Sequence, residues 1–173
     1  MDTKNRPLSR RGTEEGRSRG ATLVGRGSTA NPDARGGLTH IARGLFRFDD
    51  VPRTGREGFM EAVLRAGEGA FLTADAVLSL HNLALANPRK IRVAAPRQVR
   101  AALPATIEVR QRHLAPKHLT VYEGIPTTTI AWALLDARGL IMTDRLVEAA
   151  REAARRGLLL RGEADQVVQK LGA

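Results

Sequence analysis

The side chains of this 173-residue chain best suited to chemistry are cations. Lys90, Arg92, Arg97, Arg100, Arg110 and Arg112 fall within one stretch, Pro88 to His118, in which Glu108 is the only acid. Guanidinium and ammonium groups at that density recognise phosphates or carboxylates. Arg43 and Arg47 form a second, smaller pair nearer the N-terminus. Arg43, Arg47, Lys90, Arg92, Arg97 and Arg100 are the candidate DNA-binding residues. The formal charge is +10 at pH 7 and the sequence pI is near 11.3, which favours an anionic partner, nucleic acid or an acidic protein. A surplus of this kind also serves plain solubility.

The residues that would support catalysis do not form sets. There is no cysteine, which excludes disulfides, thiolate metal sites and a cysteine nucleophile. His40, His81, His113 and His118 make no H-E-x-x-H pair and no Cys/His pattern. Ser79 has no G-x-S-x-G setting, and neither Asp75 nor Glu123 is spaced with a second acid for two-carboxylate chemistry. The expectation is a binding protein without enzymatic activity, metal or cofactor.

The elements that must carry the cations follow from apolar spacing. The organising stretch is AFLTADAVLSLHNLALANPRKIRV, Ala70 to Val93. Ala70, Phe71 and Leu72 read as a short strand and Thr73 as a helix N-cap. Ala76, Val77, Leu80 and Leu83 repeat at helical spacing over a helix from Ala74 to Asn82, with Asn87-Pro88 as its stop. Ile91 and Val93 then mark a strand with Lys90 and Arg92 on its other face.

Upstream, Met1 to Gly36 is rich in Gly, Ser, Thr and Arg, and Leu8, Leu23 and Val24 are too few to offset ordering entropy. Its GRSRG run is no phosphate loop, because no strand precedes it and no helix follows. In GLTHIARGLFRF, Gly37 to Phe48, two apolar runs flank Arg43-Gly44, which predicts a hairpin. It fits an ordinary two-stranded ribbon, or the basic wing of a winged helix lying along a DNA backbone. Pro52 and Gly55 mark a linker. Arg56 to Ala66 reads as a helix capped by Thr54, with Phe59, Met60, Val63 and Leu64 on one face.

Downstream, Ala94 to Ala105 is a basic loop, and Thr106 to Arg112 alternates as a strand with Ile107 and Val109 inward. Leu119 to Tyr122, the turn Glu123-Gly124 and Ile125-Pro126 form a hairpin whose proline suggests an edge or a strand end. Thr127, Thr128 and Thr129 are assigned as caps of a helix from Ile130 to Ala137. Helices over Arg145 to Arg156, after Thr143 as cap, and Glu163 to Leu171 close the chain. Their inward residues are Leu146, Val147, Ala150, Ala154, Val167, Val168 and Leu171. With aromatics at 3%, the core must be built from Ala, Leu, Val and Ile.

Taken in order, RGLFRF, AFLTADAVLSLHNL, NPRKIRVAAPR, LTVYEGIPTTTIAWALLD and LVEAAREAARRGLL resemble AbiEi-type antitoxins, the transcriptional-regulator halves of abortive-infection toxin–antitoxin pairs. The resemblance runs from Gly37 to Gly172. Its most specific part is Gly124, Ile125, Pro126, Thr128 and Thr129 with Leu134, Leu135 and Asp136. It implies an N-terminal winged helix that represses its own promoter. It also implies a C-terminal domain that counters a nucleotidyltransferase-like toxin encoded beside it. The chain departs from the family pattern where the recognition helix belongs, since Met1 to Gly36 does not read as a helix-turn-helix.

The expected fold is α+β: a truncated winged helix (a wing hairpin), then a small mixed α/β antitoxin domain with C-terminal helices. The divisions are a basic leader over 1–36, wing and following helix over 37–66, and the antitoxin domain over 67–173. DNA and the adjacent toxin are the expected partners, in a cytoplasmic setting without membrane contact. Non-specific nucleic-acid binding is the alternative. Trp132 and Tyr122 are candidate anchors for a protein partner if exposed.

Overall fold

The computed structural model describes residues 37–42, 44–49 and 55–172. The leader, Arg43, the linker proline Pro52 and Thr54 lie outside the described residues. The strands are β1 (Leu38–Ala42), β2 (Leu45–Phe48), β3 (Phe71–Leu72), β4 (Ile91–Ala95), β5 (Ile107–Gln111), β6 (Leu119–Tyr122) and β7 (Ile125–Thr128). The helices are α1 (Glu57–Ala66), α2 (Ala74–Leu80), α3 (Ile130–Asp136), α4 (Thr143–Arg155) and α5 (Arg161–Gly172). The protein is a mixed α+β fold.

The predicted hairpin is present: β1 and β2 pair antiparallel, Leu38 opposite Phe48 and Thr39 opposite Arg47, with Gly44 left-handed (φ 74°) in the turn. Arg65 of α1 ties it to the rest by donating from Nη2 to the Ile41 carbonyl at 3.0 Å. The second sheet has the order β5-β4-β3-β7-β6. Its central strand β3 has only two residues, pairing antiparallel with β4 and, through Leu72 and Thr127, parallel with β7. Strands β4 and β5 run parallel, Ile91 opposite Ile107 and Val93 opposite Val109. A parallel neighbour requires the chain to return along the sheet. Pro96 to Thr106 makes that crossing as a loop, and Val99 packs it against the core.

Alternation sorts the sheet faces. Leu72, Val93, Ile125 and Thr127 face the helices, where buried alanines and leucines of all five helices meet them. Phe71 and its cross-strand partner Ala94 are buried on the opposite face, outside that cluster. As expected from the shortage of aromatics, the largest fully buried side chains are leucine, valine and threonine. Small residues let α4 and α5 pack closely: Ala149, Ala150, Ala153 and Ala164 are buried, whereas the expected Val147, Ala154 and Val168 are only half-buried. On α1 it is Ala62, Val63 and Ala66 that are buried, and Leu64 is exposed.

Four local expectations are corrected. Helix α2 ends at Leu80, well before Asn87-Pro88. Asn82 is left-handed (φ 53°) and its N–H donates to the Ser79 carbonyl at 3.0 Å, while the Leu83 N–H donates to the Leu78 carbonyl at 2.8 Å. This is a Schellman stop with asparagine where glycine is usual, and the buried Leu83 supplies its hydrophobic contact. Thr73 stands at the N-cap of α2 without capping it, because Ala74 after it is left-handed (φ 51°) and the Thr73 hydroxyl donates elsewhere. Of the three threonines only Thr129 caps α3, accepting from the Trp132 N–H at 3.4 Å; Thr127 and Thr128 are fully buried in β7. Pro126 lies in an interior strand. It is tolerated there because the short β3 meets β7 at Thr127 alone, leaving no ladder bond for the missing N–H.

The outer strands differ in chemistry. β5 carries Glu108 and Arg110, whereas β6 is uncharged and exposes Val121 by 65%.

Candidate functional site

The basic residues divide by whether a carboxylate holds them. Arg92 extends from β4 to Asp75 in the first turn of α2, and its Nε lies 3.5 Å from Glu108 Oε2 on the neighbouring strand. Asp75 is buried, and its other oxygen, Oδ1, has no hydrogen-bond partner. A buried carboxylate in that state depends on its guanidinium, and removing the cation leaves an uncompensated charge. Arg92, a candidate phosphate contact in the sequence, is therefore internal to the fold. Arg110 pairs with Glu108 at 2.8 Å in an exposed position.

Arg112, just past β5, donates to Asp136 Oδ1 at 2.5 Å, and its guanidinium carbon lies 5.5 Å from the centre of the Trp132 ring. The other Asp136 oxygen, Oδ2, accepts from the Thr73 hydroxyl at 2.5 Å. Trp132 also packs on His118, with ring centres 4.2 Å apart. This cluster joins the end of β3, the end of β5, the 3-10 turn Pro116–His118 and the C-terminal end of α3. Trp132 Nε1 and the Thr128 hydroxyl are buried there without hydrogen-bond partners.

The remaining cations of the basic stretch are of the second kind. Arg89, Lys90, Arg97 and Arg100 are exposed, and no ion pair or side-chain hydrogen bond engages them among the described residues. Their placement follows from the crossing loop. Val99, between Arg97 and Arg100, packs on the core, while both arginines are exposed. The loop's far end returns to the start of β4, where the Ile91 N–H donates to the Thr106 carbonyl at 2.7 Å. That is where Arg89 and Lys90 stand. The crossing thus connects cations beyond both ends of β4. Arg47 is half-buried in β2 opposite Thr39, in the other sheet, and Arg43 lies outside the described residues.

Neither proposed anchor is freely exposed: Trp132 and Tyr122 are both half-buried. Tyr122 packs on His81 with ring centres 4.1 Å apart, and Arg56, paired with Glu123, sits over the tyrosine ring at 5.4 Å. His81 is buried, its Nδ1 has no partner, and its carbonyl accepts from Arg156 at 2.9 Å. Burial holds its pKa below the ordinary histidine value, and the charges of Arg156 and Arg56 push the same way. Asp75 and Asp136 were not readable as ion partners because each lies far in sequence from its arginine. Arg89 was available beside Lys90 in the run PRK.

No protein-family model matches the chain, and no curated protein matches it either. No described helix is long and apolar enough to cross a membrane.

Proposed function

We propose that the protein is the antitoxin-like member of a toxin–antitoxin pair. It acts by binding rather than by catalysis, and its partner is a nucleotidyltransferase-like toxin encoded beside it. The observation that carries the reading is the triad Thr73–Asp136–Arg112. Thr73 belongs to AFLTADAVLSLHNL and Asp136 to the Gly-Ile-Pro-x-Thr-Thr…Leu-Leu-Asp segment. The residues on which the antitoxin resemblance rests thus bond to one another across 63 positions, as parts of one design do. Arg89, Lys90, Arg97 and Arg100, which meet no carboxylate among the described residues, suit a partner with an anionic surface, and such a charge pattern speeds encounter more than it raises affinity. The β1–β2 ribbon, with Arg47 on it, serves in this reading as the wing of a winged helix, and residues 67–173 as the antitoxin domain. The test is co-expression of the full chain with the product of the adjacent gene. Growth rescue with co-purification is expected. Persistent toxicity beside a soluble, folded full-length chain would refute the proposal.

The same four cations favour a second reading, sequence-independent binding to nucleic acid. Binding of that kind weakens as a steep power of salt concentration and is blind to sequence. Fluorescence anisotropy with a promoter duplex and a scrambled duplex, across a salt series, separates the two readings. Equal, salt-sensitive binding without any effect on the adjacent protein selects the second.

A further inference from the structure

The turn after α2 combines two features that rarely coincide. Ala84 and Leu85 are both left-handed, with φ of 58° and 48°, and the turn is closed by the Ala86 N–H donating to the Leu83 carbonyl at 3.0 Å. Two successive left-handed residues are the geometry for which Asn-Gly or a similar pair is selected. The β6–β7 hairpin uses Glu123-Gly124 for the same purpose, at φ of 48° and 81°. Here both positions carry a Cβ that left-handed backbone disfavours. The second feature is that Leu85 is 87% exposed, more than any other large apolar side chain among the described residues. The strain therefore serves no burial of Leu85 itself. The turn cannot relax freely, since the buried Leu83 and the core-packed Ala86 pin both sides of it. Proteins keep such strain where the surroundings enforce it, and it concentrates at functional positions.

The adjoining residues indicate what receives the leucine. Arg89 and Lys90, exposed and unpaired among the described residues, follow within five positions. A chain of that length spans at most about 18 Å, well inside one standard protein interface. An apolar knob beside two exposed cations is complementary to an apolar pocket rimmed by carboxylates. We propose that Leu85 is the anchor by which this protein docks into such a pocket on its protein partner, with Arg89 and Lys90 steering the approach. This rests on the antitoxin reading, which supplies the partner: the product of the adjacent gene.

The test uses full-length protein and that product, with the dissociation constant and the thermal midpoint as readouts. Leu85→Gly removes the side chain and fits the left-handed backbone, so it is expected to raise the midpoint by about 2–4 °C. At the same time it is expected to weaken binding about 30-fold. Ala84→Gly also relieves strain but keeps the knob, and binding stays unchanged. Arg89→Glu with Lys90→Glu slows association and reduces its salt dependence. Unchanged binding by Leu85→Gly overturns the anchor and leaves the antitoxin reading standing. Failure of the wild-type chain to bind the adjacent product overturns both. Leu85-dependent binding to vesicles rich in phosphatidylserine, with none to the adjacent product, overturns the protein partner in favour of a lipid surface.

Discussion

Arginines on or just beyond the sheet strands and arginines on the crossing loop stand a few residues apart in sequence and have opposite fates. Arg92 and Arg112 are fixed by Asp75 and Asp136, and one oxygen of each pair is drawn from a residue remote in the chain. Arg97 and Arg100, between them in sequence, meet no carboxylate among the described residues. The difference teaches that a basic run is not a surface property. Whether a guanidinium is structural or available depends on the acids that folding brings to it, and these are invisible in local charge density.

The largest effect is expected where the pairing is most buried. Arg92→Ala leaves Asp75 charged in a site it cannot escape and should destabilise the protein by about 3–5 kcal/mol. The urea midpoint reads this directly. A loss below about 1 kcal/mol would mean that the pair behaves as a surface salt bridge, and the division of arginines proposed above would fail. Asp136→Asn keeps the shape but weakens charge-assisted bonds to Thr73 and Arg112, for an expected loss of about 1–2 kcal/mol. Adding Arg112→Ala to it should cost less than the sum of the two single changes, and strict additivity would show that the pair is not coupled.

Acid should act on the same framework through His81. Its folded pKa is depressed, so the native state holds a neutral ring while the unfolded chain takes up a proton near pH 6.5. The contribution to stability is complete above about pH 6.5 and is lost as pH falls below it, with a slope of at most about 1.4 kcal/mol per pH unit. His81→Gln should flatten this part of the stability profile. A profile unchanged between pH 7 and 5 in both proteins would remove the buried histidine from the account. The smallest effect on stability, within about 0.5 kcal/mol, is expected for Arg97→Glu with Arg100→Glu. Association with either proposed partner, the toxin or duplex DNA, should nevertheless slow severalfold in stopped-flow mixing. A destabilised double variant would show that those arginines, too, are structural.

Much of the architecture was legible because it depends on apolar period and on turn residues. The β1–β2 hairpin around Gly44, the β6–β7 hairpin around Glu123-Gly124 and the positions of all five helices follow from such local signals. What escaped was decided at a distance. Thr73 reads as a cap in isolation and becomes an Asp136 donor only when α3 arrives. Thr127 and Thr128 read as caps and are instead strand residues, because β3 and β6 flank them. The exposed Leu85 could not be foreseen either, since Ala-Leu carries none of the chemistry of the left-handed turn it occupies.

The two-residue strand at the middle of the sheet also sets a timetable. Leu72 meets Thr127, which the ribosome adds 55 residues later. At roughly 5–20 residues per second that is a wait of about 3–11 s. During that wait β3 has β4 and, beyond it, β5 on one side only, and its other edge stays open. Helices α1 and α2 are already made and can pack on these strands, but α3, α4 and α5 all follow Thr127. A nascent chain halted before Ile125 therefore presents an open β3 edge and a core still lacking α3, α4 and α5 to proteases and chaperones, whereas one released after Leu171 does not.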